Sequence, residues 1–181
     1  MATLPTLDSE RIVLRHPRGA DLDDLYALFA SADVTRYWSH GPWQALHQAE
    51  TYLRDIHAGA ASGQLLQWAI TLRGDHRLIG TVTLYAFARE HARCEIGFAL
   101  HPAHWGQGLA REAVATALTH AIRGLGMQRI EADADPDNAA SLRLLESLGF
   151  KREGHARERY RLGGSTQDSV LLGLLAREFR P

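Results

Sequence analysis

The sequence holds a single cysteine, Cys94, in 181 residues, so no intramolecular disulfide can form. No apolar run approaches the roughly 20 residues that span a bilayer. The chain is nearly neutral, with a net charge of −1 when His is uncharged, which gives no reason to expect a nucleic acid or an anionic membrane as partner. Met1-Ala2-Thr3-Leu4-Pro5 lacks a basic region followed by an apolar one, so no signal peptide is expected. Repeats, low-complexity tracts and linkers are missing too. What remains is ordinary globular composition, 45% hydrophobic and 23% charged. The length suits one domain, residues 1–181, with a sizeable core, and a cytoplasmic enzyme or binding domain fits all of this.

Glu10 to Arg15 reads as a first strand. Leu22, Leu25, Tyr26 and Phe29 recur at helical spacing, with Asp21 as the expected cap. Asp33 is expected to cap a short turn through Trp38, which Gly41-Pro42 breaks. A second helical pattern runs from Ala45 to Ile56. Leu66, Trp68 and Ile70 alternate into a hairpin turn at Arg73–His76, and Ile79 to Tyr85 returns. After a polar connection, Ala86 to Ala92, the residues Cys94, Ile96, Phe98 and Leu100 alternate in a further strand. A long amphipathic helix is predicted from Ala110 to Leu125, then a strand at Ile130 to Ala134. Asn138 caps another helix, Gly149 ends it, and a final hairpin turns at Leu162-Gly163-Gly164. Strand–helix–strand from Cys94 to Ala134 implies one parallel, right-handed crossover, while the hairpins imply antiparallel pairs elsewhere. The fold class is therefore α/β (α+β), a mixed, mostly antiparallel sheet of about seven strands flanked by helices.

One stretch organises the rest: His101-Pro102-Ala103-His104-Trp105-Gly106-Gln107-Gly108-Leu109-Ala110-Arg111. A strand pattern runs into it and the clearest helix pattern runs out. Glycine lets a ligand approach the main chain closely. A helix that starts there offers unpaired N–H groups and the positive end of its dipole, which suits a phosphate. The stretch lacks the Lys-Ser/Thr of a P-loop. Arg111 stands at the third glycine position of a dinucleotide fingerprint.

Trp105-Gly106-Gln107-Gly108-Leu109-Ala110 resembles the acyl-CoA pyrophosphate loop of the GNAT superfamily of N-acetyltransferases, written Gln/Arg-x-x-Gly-x-Gly/Ala. Gly108 and Ala110 match its last two fixed positions. Trp105 replaces the Gln or Arg, as in the RimJ/RimL branch. Glu10 to Arg15, Asn138-Ala139-Ala140-Ser141 and Leu148-Gly149-Phe150 also look like that branch, and the order of elements resembles the GNAT fold from Glu10 to Leu175. The resemblance implies acetyl-CoA as co-substrate, without a metal, lying between two splayed strands, Cys94 to Leu100 and Ile130 to Ala134. Its pantetheine would bond main-chain groups near Phe98, Ala99 and Leu100. Its pyrophosphate would rest on the N–H groups of Gly106, Gln107, Gly108, Leu109, Ala110 and Arg111. Asn138 and Ser141 would lie beside the thioester, with Ser141 the candidate to protonate the departing thiolate.

Glu95 is the candidate general base. It lies opposite Cys94, Ile96 and Phe98, and the small Gly97 and Ala99 follow it on its own face. The position also resembles a central-strand Glu that serves as base in some GNAT enzymes, although pairing with Arg93 or another cation is the structural alternative. Cys94, on an apolar strand face, reads as a buried small residue rather than an acyl acceptor. His101 and His104 lack the partners of a metal site. Trp38 and Trp43 read as a satellite core cluster or a substrate pocket wall, and Glu131, Asp133, Asp135 and Asp137 as a solvated edge face. The reading is an N-acetyltransferase acting on a primary amine, a protein N-terminal α-amine or a small-molecule amine, by direct attack in a ternary complex; a homodimer is compatible with it. A non-catalytic acyl-CoA-binding or sensor module and a nucleotide-binding protein stay open.

Overall fold

Ile12 and Leu14, Trp68 and Ile70, Val82 and Leu84, Cys94 and Ile96 are each spaced two apart along a strand, and all are buried on one face of a single sheet. The computed structural model describes residues 4–181. Met1, Ala2 and Thr3, part of the segment read above for a signal peptide, lie outside the described residues. The strands are β1 (Leu7–Asp8), β2 (Ile12–Arg15), β3 (Leu66–Leu72), β4 (Leu78–Ala88), β5 (Arg93–Leu100), β6 (Arg129–Ala134), β7 (Lys151–Leu162) and β8 (Ser165–Leu175). Their order across the sheet is β1-β2-β3-β4-β5-β6-β8-β7. Every neighbouring pair is antiparallel except β5 and β6.

Helices cover both faces. α4 (Leu109–Thr119) and α5 (Ala139–Ser147) pack through Ala113, Val114, Ala117, Leu142 and Leu145 on the Cys94 side. α1 (Leu22–Ala30), α2 (Ala32–Thr35) and α3 (Leu46–Ser62) cover the other side. There Leu25, Phe29, Trp43 and Leu53 close on Ala69, Leu78 and Ala99. Each fully buried Leu or Phe in these layers contributes roughly 1.5–3 kcal/mol relative to exposure.

The pairing of β5 with β6 positions the site. It holds at Arg93↔Arg129, Cys94↔Ile130 and Glu95↔Glu131 and then stops, although β5 runs on to Leu100 and β6 to Ala134. Beyond Glu95 the two strands part. β5 keeps β4 on its other edge as far as Gly80↔Leu100, and β6 keeps β8 as far as Ala134↔Val170. Each strand thus turns an unpaired edge to the gap. A side chain at Gly80 would drive into the Ala99 carbonyl of β5, so this part of β4 admits only glycine.

The mixed, mostly antiparallel sheet read from the sequence is present, and β1, two residues long and too short to show a period, adds one strand to the seven read there. Several other expectations are corrected. Asp21 stands at the α1 N-cap without bonding the helix: its carboxylate takes Arg15 Nη1 and Nη2, both at 2.7 Å, and the Arg18 N–H at 2.8 Å. Asp33 lies inside the first turn of α2, whose N-cap is Ser31. β4 continues through Ala86 to Ala88 over a bulge after Tyr85. The long helix is α-helical only to Thr119. It then widens into a π turn over His120–Gly124, where any side chain on Gly124 would strike the His120 ring. Glu131 and Asp133 do not form a solvated edge face, because β6 is an interior strand and both carboxylates are bonded.

Candidate functional site

Trp105 leaves the end of β5 and ties back to it, its Nε1 donating to the Leu100 carbonyl at 2.7 Å. Gly106 and Gly108 follow with φ of 72° and 76°, so the loop turns through left-handed conformations that glycine adopts freely. Arg11 braces the loop from beneath: Nη1 donates to the Gln107 carbonyl at 2.9 Å, and Nε to Glu112 Oε2 at 2.7 Å. Burial alone would raise the Glu112 pKa. Hydrogen bonds from Arg11 and Ser9 outweigh it and hold the carboxyl below its ordinary range, paired rather than facing an incoming anion. Among the described residues, no protein acceptor takes the backbone N–H of Gly106, Gln107, Gly108, Leu109, Ala110 or Arg111. That run of free donors, at the start of an 11-residue helix, is what a pyrophosphate needs.

A groove of about 410 Å³ runs from this loop along the free edge of β5, lined by Phe98, Ala99, Leu100, Gly106, Gly108, Leu109, Ala110, Arg111, Asn138 and Ser141. A Cβ placed on Gly106 would meet nothing within 4 Å, so the approach to the loop is open. Asn138 caps α5, its Oδ1 accepting from the Ser141 N–H at 3.1 Å, and its Nδ2 has no partner among the described residues. The groove, the donors and the free strand edge fit acetyl-CoA.

A second cavity, about 360 Å³, lies over the other face of the sheet and reaches through the gap between β5 and β6. Its floor is Gln67, Thr81, Thr83, Tyr85 and Gly97; Tyr37, Trp38 and Tyr52 wall one side, and Asp133, Asp135 and Tyr160 the other. Asp133 Oδ2 accepts from Tyr160 Oη at 2.6 Å, from Ser169 Oγ at 3.0 Å and from Arg159 Nε at 3.3 Å. The two cavities share Tyr37, Trp38, Phe98, Asn138 and Ser141. They therefore meet where the strands part.

Most of the residues read from the sequence converge here. Phe98 to Leu100, Gly106, Gly108 to Arg111, Asn138 and Ser141 line the groove. Gln107 does not; its side chain turns back to the Ala103 carbonyl at 3.2 Å. Glu95 does not line either cavity. It stands one rung below, opposite Tyr85 on β4 and Glu131 on β6. The pairing with Arg93 is not formed, because Arg93 Nη1 goes to Glu131 Oε2 at 2.5 Å. Burial raises the pKa of Tyr85, and the charge of Glu95 adds to the shift, so this phenol at the cavity floor keeps its proton.

Cys94 is wholly buried, and burial, aided by Glu95 and Glu131, pushes its thiol up to about 12. That is the wrong state for a nucleophile. His101 Nδ1 accepts from the Ala103 N–H at 3.3 Å, and the described residues contain no group of three or more His, Cys, Asp or Glu that could hold a metal. Trp43 belongs to the second core cluster, whereas Trp38 packs on it and also walls both cavities. No helix of the described residues is long and apolar enough to cross a membrane.

Sequence reasoning missed Gln67, Tyr52, Thr81, Thr83, Tyr85 and Tyr160. A signal was there: Thr81, Thr83 and Tyr85 alternate with Val82 and Leu84, and Gln67 and Ala69 with Trp68 and Ile70. That pattern marks a sheet face that is less apolar than its reverse.

Residues 11–151 match the family described as acetyltransferase (GNAT) domain. The uncharacterized N-acetyltransferase YoaA of Bacillus subtilis is 33% identical over 171 residues, 94% of this chain and 97% of its own. A spermidine N(1)-acetyltransferase of Vibrio cholerae is 26% identical over 94% of this chain and 96% of its own. Among solved structures, Mycobacterium smegmatis RimJ in complex with CoA-disulfide superposes with a TM-score of 0.87 at 22% identity, covering 98% of this chain and 90% of that one.

Proposed function

The chain belongs to the GNAT acetyltransferase family, whose co-substrate is acetyl-CoA, and on that premise we propose that residues 1–181 act as one domain transferring acetyl to a primary amine in a ternary complex. The acceptor is a protein N-terminal α-amine or a small-molecule amine. The observation that carries this reading is the meeting of the two cavities at Phe98, Asn138 and Ser141. An amine entering from the β3–β4 side reaches the end of the groove without crossing the sheet.

When bound, acetyl-CoA supplies an activated acyl group on a thiol that leaves readily, free thiols having a pKa near 8.5. In this proposal the loop from Gly106 to Arg111 holds the diphosphate by its N–H groups. Main-chain groups of Phe98, Ala99 and Leu100 align the pantetheine as an added strand. Asn138 Nδ2, without a partner among the described residues while Oδ1 caps α5, steadies the thioester end. Ser141 Oγ, which has no hydrogen-bond partner among the described residues, donates its proton to the departing thiolate and regains one from solvent, to which Glu95 in turn releases the amine's proton. The attacking amine must be neutral. An α-amine with pKa about 8 is neutral roughly once in ten molecules at pH 7. Glu95 is the proposed base and takes the surplus proton through Tyr85 or a water in the cavity.

Free-thiol release from acetyl-CoA, screened over a panel of primary amines, tests the reading. The expected result is saturation in both substrates with intersecting kinetic patterns. Tight acetyl-CoA binding without turnover on any amine would make the chain a binding module instead, and an acetylated protein intermediate would replace direct attack.

A further inference from the structure

Gln67 sits in the middle of β3 and is 1% exposed. Its Oε1 accepts from Tyr52 Oη at 2.8 Å and from Thr83 Oγ1 at 2.9 Å. Neither hydroxyl donates elsewhere among the described residues. Turning the amide over would leave both hydroxyl protons without an acceptor, so the two neighbours set its orientation. Burial pushes the Tyr52 phenol up to about 12, the Gln67 bond opposing only part of that shift, and Tyr52 stays a donor at neutral pH. The Gln67 Nε2 is consequently buried without a partner among the described residues, in a side chain that lines the second cavity. A buried donor left unmade is costly, and folded proteins seldom tolerate one without a use.

Its place relative to the gap is defined by register. Gln67 faces Thr83 on β4, and Thr83 faces Gly97 on β5. That rung ends on a residue with no side chain, so the cavity is open above it from Gln67 to the parting strands. Two strand spacings separate β3 from β5, about 10 Å.

We infer that Gln67 is a specificity-determining residue: its amide N–H donates to an oxygen of the acceptor, a carbonyl or hydroxyl held a few bonds from the reacting nitrogen. This rests on the acetyltransferase reading above and narrows its substrate class to amines that carry such an oxygen. A protonated amine has donors only and offers Gln67 nothing. Pure polyamines are therefore poor ligands for this floor, whatever the carboxylates of Asp133 and Asp135 contribute.

A matched series tests this: ω-amino-N-methylamides with one to five methylenes between nitrogen and carbonyl, against alkylamines of equal length, with kcat/KM corrected for each amine's neutral fraction. At the preferred length the amide should exceed the alkylamine about 10- to 100-fold. In Gln67→Glu, which keeps an oxygen for Tyr52 and Thr83 and loses the donor, the ratio should fall to about one, chiefly through KM. Gln67→Met should give the same ratio without adding charge. Calorimetric acetyl-CoA affinity should be unchanged in both variants, which shows the groove and fold intact. A ratio near one at every length in the wild-type protein overturns the inference while turnover still upholds the acetyltransferase. So does an unchanged ratio in the variants, or a preference for spermidine over every amide. Acetyl-CoA binding with no turnover on any amine overturns both.

Discussion

Two glutamates share a rung of the sheet and meet different fates. Glu131 is taken by Arg129 Nε at 2.8 Å and Arg93 Nη1 at 2.5 Å. Burial opposes these bonds but they prevail, and its pKa is held low. Glu95, opposite it, has no ion-pair partner among the described residues and borders Tyr85. An unpaired carboxylate one rung below the cavity, bordering a phenol of its floor, is suited to proton transfer through that phenol, whereas a doubly bridged one is not. Glu95→Gln is therefore expected to keep acetyl-CoA affinity and lower kcat/KM by about 10²-fold or more. The acidic limb of the pH–rate profile should vanish with it. An unaltered limb, measured with a good acceptor, would move the base elsewhere or leave the task to solvent. Asn138 and Ser141 were legible in the sequence because a cap acts over three residues. The alternation around Gln67 marked its face of the sheet, but its bonding was not legible, because its partners lie 15 and 16 residues away on a helix and a neighbouring strand. A lone polar residue in a strand has no meaning until the sheet and α3 close around it.

At the scale of elements, the passage from β5 through two glycines into α4 was the most readable part of the chain, because periodicity changes there from two to 3.6. What periodicity could not convey was the bracing of the loop. Arg11 reaches it across roughly a hundred residues of sequence. The π turn was equally hidden, since His120–Gly124 keeps an apolar face compatible with a continuing α-helix. The bracing has a consequence for Gly108. A Cβ there lies 3.4 Å from Arg11 Nη2, on a backbone with φ of 76°. Gly108→Val should lose at least tenfold in acetyl-CoA affinity by calorimetry, because the side chain is strained and the diphosphate can no longer approach. Strain alone costs about 1–2 kcal/mol for a left-handed L-residue. Gly163→Val, at φ of 56° in the distal hairpin, controls for it: stability should fall, acetyl-CoA affinity should not. Equal affinities in Gly108→Val and wild type would remove the loop from the site.

For the molecule as a whole, the sheet separates two environments. One face buries Cys94 among Ile96, Val114 and Ile130 in the main core; the other carries the second cavity and the carboxylates of Glu95 and Glu131. This division makes stability depend on alkaline pH. Burial first, then the charges of Glu95 and Glu131, raise the Cys94 thiol to about 12 in the folded state. In the unfolded chain the thiol titrates near 8.5. Between those values the folded protein holds a proton that the unfolded chain has lost, so stability falls as pH rises. The contribution is whole below the unfolded value and disappears as pH climbs through the folded one. One such proton changes stability by at most about 1.4 kcal/mol per pH unit. Tyr52, raised by burial to about 12, adds a loss that begins near pH 10. Urea melts at pH 7, 9 and 10.5 should therefore show a steepening decline in the wild-type protein. Cys94→Ala lowers stability at pH 7 by the lost packing but should flatten the decline between pH 9 and 10. The same slope in both proteins would mean that the thiol titrates normally, and that the main core admits hydroxide or solvent at the point where β5 and β6 are still paired.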